Sequence, residues 1–183
     1  MTLLHRLSQN KPAVLERWLR RIMDVYPADA SDFFTRERDR FKNPVGFTTS
    51  REIEVLFSEL LQDMNRDRLV SSLENILKIR AVQNMPPSEA VGFIFVLKDV
   101  VKAEMADAGR EADSVEDYLG LSSRIDELAL MALDIYLKCR ERIFEIRLNE
   151  AKAERDRLSR LLERSADAGS ESADRVHPAD VKK

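Results

Sequence analysis

The sequence predicts an all-α fold, a bundle of about six helices ending in one long C-terminal helix. Three observations lead there. Only five glycines and six prolines occur in 183 residues, whereas an all-β chain needs turn signals every ten or so residues, about twice that density. Apolar residues recur at spacings of three and four rather than alternating. Charged residues make up 34% and hydrophobic residues 44% of the chain, a balance that suits amphipathic helices.

The first helix is expected over residues 11–25. Asn10 can cap it, Pro12 is tolerated in its first turn, and Val14, Trp18 and Ile22 recur every four residues. Tyr26-Pro27 closes it. A short helix follows over 29–41, with Phe33, Phe34 and Phe41 as apolar contacts. Residues 43–46, Asn-Pro-Val-Gly, read as a turn. Thr49 and Glu52 have the spacing of a capping box. The helix they open carries Ile53, Leu56, Phe57, Leu60, Leu61 and Met64 on one face. Another begins near Asp67 and runs through Leu69, Leu73, Ile76, Leu77 and Val82. Met85-Pro86-Pro87 breaks it, and Ser88 to Ala106 forms a central, apolar helix. After a polar loop at 107–113, Ser114 with Asp117 marks a further start. From 122 to 164 there is neither glycine nor proline, so one helix should run on the order of 60 Å. Its segment Leu128–Leu133 is apolar in every direction and is expected to be surrounded by protein. The stretch 151–165 reads as a projecting end with a thin leucine seam, a possible coiled coil. Residues 166–183 read as a disordered tail.

Bulk properties exclude several classes. The net charge of −3 is too small to point to nucleic acid or a membrane surface. No apolar run approaches the roughly 20 residues of a membrane span. The N-terminus lacks the apolar core of a signal peptide. A single cysteine, Cys139, rules out an internal disulfide, and the chain is expected in the cytoplasm.

Catalytic and metal signatures are not found. His5 and His177 lie near the two ends, so no core histidine offers itself as a metal, haem or nucleophile-activating group. No cofactor, metal or catalytic residue is assigned. Two polar clusters stand out. Around the double proline lie Arg80, Gln83, Ser88, Glu89 and Gly92. These could be a capped helix junction, with Gly92 at a close helix crossing, or a ligand or partner surface. On the last helix Arg124, Asp126 and Glu127 precede its most apolar segment, followed by Asp134, Tyr136, Lys138, Arg140 and Glu141. Buried carboxylates require partners, so Arg80 is expected to meet Asp126 or Glu127. The end of this helix is expected to form a homodimer.

Five strings occur here in a familiar order: residues 43–46, 79–83, 87–93, 123–130 and 135–141. Over about residues 10–150 the chain resembles the N-terminal domain of the RsbR-type co-antagonists of the stress-signalling kinase RsbT, the RsbRD N-terminal family. The resemblance implies a non-enzymatic sensory or regulatory module, a globin-like, haem-free dimeric fold, and action through a protein partner or a small ligand. In full-length co-antagonists such a domain precedes a STAS domain with phosphorylatable threonines. No such module follows here, so a stand-alone version with a different regulatory partner is implied. An accessory or assembly subunit of a redox enzyme complex, for example of sulfate respiration, is the alternative.

Overall fold

The computed structural model describes residues 2–37, 39–106 and 112–174. Among these there are seven helices and no strand. They are α1 (Leu3–Gln9), α2 (Lys11–Met23), α3 (Ala28–Arg36), α4 (Pro44–Leu61), α5 (Arg66–Val82), α6 (Pro87–Ala106) and α7 (Ala112–Asp174). The chain divides into two compact units, residues 1–141 and residues 142–183.

In the first unit α4 packs along α5, and α2 packs along α6. The periodicities place the core as expected. Val14, Trp18 and Ile22 of α2 are buried, as are Ile53, Leu56, Phe57 and Leu60 of α4 and Leu69, Leu73, Ile76 and Leu77 of α5. On α7, Leu121, Ile125, Leu128, Ala129, Ala132, Ile135 and Tyr136 make a single buried face. The Leu128–Leu133 segment is therefore not enclosed on all sides, because Leu130 is 68% exposed. Its six apolar residues cover more of the circumference than neighbouring helices occupy.

Several helix starts differ from expectation. Residues 3–9 fold as α1, with Leu3 and Leu7 fully buried. Thr2 Oγ1 accepts from the amide of His5, and Asp117 Oδ2 accepts from the amide of Leu3 at 2.8 Å. Asp117 thus caps α1 from the second turn of α7, which already starts at Ala112, rather than opening a helix of its own. Residues 43–46 form the first turn of α4, with Pro44 at its first position. Asn43 is the true cap. Its Oδ1 accepts from the Gly46 amide at 2.7 Å, and its Nδ2 donates to the Phe34 and Glu37 carbonyls at 2.9 and 2.8 Å. Thr49 and Glu52 lie inside α4 and are buried; Glu52 accepts from Asn75 Nδ2 at 3.1 Å. The local spacing of a capping box was present, but Asn43 starts the helix six residues earlier. The helix α3 ends at Arg36, short of the expected Phe41, whose side chain is exposed.

The separate start expected near Ser122 is absent, because α7 runs unbroken through Gly120. It also continues to Asp174, so residues 166–174 are helical rather than part of a tail. The expectations for residues 107–111 and 175–183 lie outside the described residues. No helix among the described residues is long and apolar enough to cross a membrane.

Candidate functional site

The periodicity of α5 that buries Leu73, Ile76 and Leu77 also turns Arg80 inward, and its side chain is buried. Its Nη1 donates to the carbonyls of Glu89 at 2.9 Å and Ala90 at 3.4 Å, in the first turn of α6. The guanidinium carbon lies 4.7 Å from the centroid of the Phe93 ring, a cation–π distance. Burial pushes the Arg80 pKa down, while nearby Tyr26 and Glu89 act in the opposite direction. The expected carboxylate partners are not there. Asp126 instead accepts from Lys98 Nζ at 2.6 Å, and Glu127 is exposed. Two helix-terminal carbonyls and an aromatic face do the work that a carboxylate was expected to do.

Phe93 is a hub for three elements. Trp18 Nε1 donates to its carbonyl at 2.7 Å, fixing α2 on α6. The Trp18 and Phe93 rings stack with centroids 6.4 Å apart. Next to it the Tyr26 hydroxyl donates to Gln83 Oε1 at 2.7 Å, and the Tyr26 ring meets Phe34 edge-on at 4.9 Å. The turn itself is closed by Asn84 in the left-handed conformation, φ 59°. The Met85 amide then reaches back to the Arg80 carbonyl, a Schellman-type ending. From α7, Tyr136 donates its hydroxyl to the Met85 carbonyl, and Arg140 Nη1 donates to Ala81 O at 3.1 Å.

Arg124 serves the α4–α5 turn, at the other end of α5. Its Nη1 donates to Leu60 O at 2.9 Å and Gln62 O at 2.6 Å, where α4 ends. Arg124 and Arg140 are separated by about 24 Å along α7, close to the length of the 17-residue α5. Each places a positive charge on the negative end of a helix dipole. The two polar clusters read from the sequence therefore meet in part, because Tyr136 and Arg140 of the second reach the α5–α6 turn of the first. Arg80, Gln83 and Glu89 come together at the α5–α6 turn, whereas Arg124 and Asp126 bind other elements. Gln83, Ser88 and Glu89 face solvent.

Gly92 does not mark a helix crossing. A Cβ placed on it would meet no atom within 4 Å. Replacing it by alanine is expected to stabilise the protein by about 0.5–1 kcal/mol, because the helix gains propensity without a clash. Urea denaturation of Gly92→Ala measures this; a midpoint below wild type would contradict it. The close approach expected at Gly92 occurs instead at Gly46.

Residues with no distinctive local pattern complete the framework. Glu104 is buried and accepts from Asn10 Nδ2 at 2.8 Å and Arg17 Nη1 at 2.5 Å. Glu59 is buried, accepts from the Asn65 amide at 3.0 Å and pairs with Arg68. A cleft of about 260 Å³ between α2, α3 and α4 is lined by Leu19, Phe34, Phe47, Ser50, Arg51 and Glu54 among others.

Burial raises the Tyr26 pKa above its ordinary value, with Arg80 and Gln83 acting against that shift. A raised folded-state value means that the unfolded tyrosine ionises first. Stability from this group is complete below pH 10 and falls as pH rises through the folded value. Tyr26→Phe should flatten the alkaline limb of the stability profile above about pH 10. An unchanged slope would exclude Tyr26 as its source.

The family model described as the RsbT co-antagonist protein rsbRD N-terminal domain matches residues 12–151. The chain belongs to this family. RsbRD N-terminal domains are stress-signalling regulatory domains and not a known enzyme family. The matched span contains α2 to α6 and both arginine caps on α7. An uncharacterized protein of Archaeoglobus fulgidus is 26% identical over 96 residues, covering 52% of this chain. The match spans 60% of that protein's length. No solved structure matches.

Proposed function

We infer that this RsbRD N-terminal domain is a cytoplasmic regulatory module that works by binding other proteins, itself included, rather than by catalysis. The observation that carries the reading is the exposed apolar seam on the second unit. There Phe144 is 68% and Leu158 55% exposed, and Ile146 and Leu148 are also exposed. Surface residues of this size at helical spacing suit a partner helix. The second copy of the chain is the first occupant, giving a homodimer on the final helix. Sedimentation equilibrium at micromolar concentration tests it. Twice the 21.1 kDa chain mass is expected, and a clean monomer would remove the homodimer. Truncation after Ile146 should abolish the dimer while the circular dichroism of the remaining helices persists.

The regulatory partner is assigned to the α5–α6 turn. Gln83, Ser88 and Glu89 are exposed there, on a backbone fixed from behind by Arg80, Tyr136 and Arg140. A rigid platform with exposed polar groups limits the entropy lost on binding. Purification from native lysate, with and without Gln83→Ala/Ser88→Ala/Glu89→Ala, tests this surface. Loss of a specific protein with helicity unchanged supports it; an identical set of bound proteins rejects it. Recovery of a redox-enzyme complex would favour the accessory-subunit reading. The small-ligand alternative would use the cleft of about 260 Å³ beside α3, whose lining mixes Leu19, Phe34 and Phe47 with Arg51 and Glu54.

A further inference from the structure

We propose that the second unit pairs with a second copy of itself in antiparallel orientation, with the two-fold axis between Asn149 and Glu150. This rests on the homodimer reading and adds the direction and register of pairing. Within 142–164, residues 144, 148, 151, 155 and 158 follow spacings of four, three, four and three. That is the repeat of a coiled-coil seam. Its members are Phe144, Leu148, Ala151, Arg155 and Leu158. Four are apolar and one is a cation, and Phe144, Leu148 and Leu158 are exposed.

The charges decide the orientation. In a parallel, in-register pair Arg155 faces Arg155 of the second copy across the seam. The flanking contact joins Arg147 to Lys152 of the second copy. Both are like-charge contacts, repeated by symmetry. In the antiparallel pair centred between 149 and 150, Leu148 faces Ala151 of the second copy, Leu158 covers the stem of Glu141 of the second copy at the seam's end, and Arg155 lies against Phe144 of the second copy. The last of these turns an interior cation into a cation–π contact. The flanks then join Arg147 to Glu154 and Glu145 to Lys152, each twice. Every charged flank near the axis thus changes from repulsive or neutral to attractive. Selection of partner orientation by flanking charges needs no large net affinity, because the wrong arrangement is penalised.

Spin labels at Arg160→Cys, in a Cys139→Ser background, read the orientation. The antiparallel pair separates the labels by about 30 Å along the axis, whereas a parallel pair keeps them at one level, within about 20 Å. A charge exchange reads the register. Arg147→Glu should weaken the dimer about tenfold, and Arg147→Glu/Glu154→Arg should restore it. In a parallel pair Arg147→Glu would instead face Lys152 and strengthen association. Dimers with the short label distance, or strengthened by Arg147→Glu, overturn the antiparallel proposal and leave the homodimer standing. A monomer at about 100 μM, far above the micromolar range of specific association, overturns both.

Discussion

Arg80→Ala is expected to lower the unfolding free energy by about 2–4 kcal/mol, through the cavity left at a nearly closed site. The side chain is 3% exposed and lies between the end of α5 and the start of α6. Its charge is costly to bury, since burial disfavours the charged form, and the carbonyls of Glu89 and Ala90 and the Phe93 ring offset that cost. Arg80→Met keeps most of the volume and removes the charge together with its desolvation. Its expected loss is below about 1.5 kcal/mol. Arg80→Lys keeps a charge but loses the guanidinium placed over the Phe93 ring, so it should be worse than methionine. Chemical denaturation of the three variants ranks them. Equal losses for alanine and methionine would mean that the hydrogen bonds, not packing, hold the junction. A stable Arg80→Met protein also permits the partner test without the guanidinium.

Gly46→Ala is expected to destabilise by about 3–5 kcal/mol, combining overpacking with loss of the helix cap. The added methyl would collide with the Phe34 carbonyl and the Asn43 side-chain amide. Both belong to the joint where α3 hands over to α4, and neither is the movable end of a long side chain. Asn43 cannot yield without giving up its bonds to Gly46, Phe34 and Glu37. The contrast with Gly92→Ala, expected to stabilise, makes the pair a sharp test. Thermal melts of both variants should move in opposite directions. A Gly46→Ala protein melting within a degree or two of wild type would show that the joint can relax.

The helices themselves were legible because their signals are local. The three-and-four spacing of Val14, Trp18 and Ile22 fixes which face of α2 is buried, whatever it packs against. The same holds for Ile53 to Leu60 and for Leu69 to Leu77. The double proline and the family strings likewise located the α5–α6 junction and assigned Arg80, Gln83 and Glu89 to it. Caps were harder. Asn43 and Thr49 both have suitable side chains, and the choice depends on carbonyls of α3 that the chain brings alongside.

What only the tertiary structure decided were the partners. Arg80 binds carbonyls and an aromatic face instead of a carboxylate, because the start of α6 reaches it and α7 presents Asp126 to Lys98. Asp117 caps α1 from 114 residues away, and Trp18 finds its acceptor on Phe93. Two glycines in similar helical contexts have opposite surroundings, one crowded and one open. The enclosure of Leu128–Leu133 fails for the same reason, since apolar composition states a demand for neighbours and only the packing of α7 shows which sides receive them. Periodicity is a property of consecutive residues and survives in the sequence. Hydrogen-bond partners, close approaches and exposure depend on segments distant in the chain, and the sequence holds no local record of them.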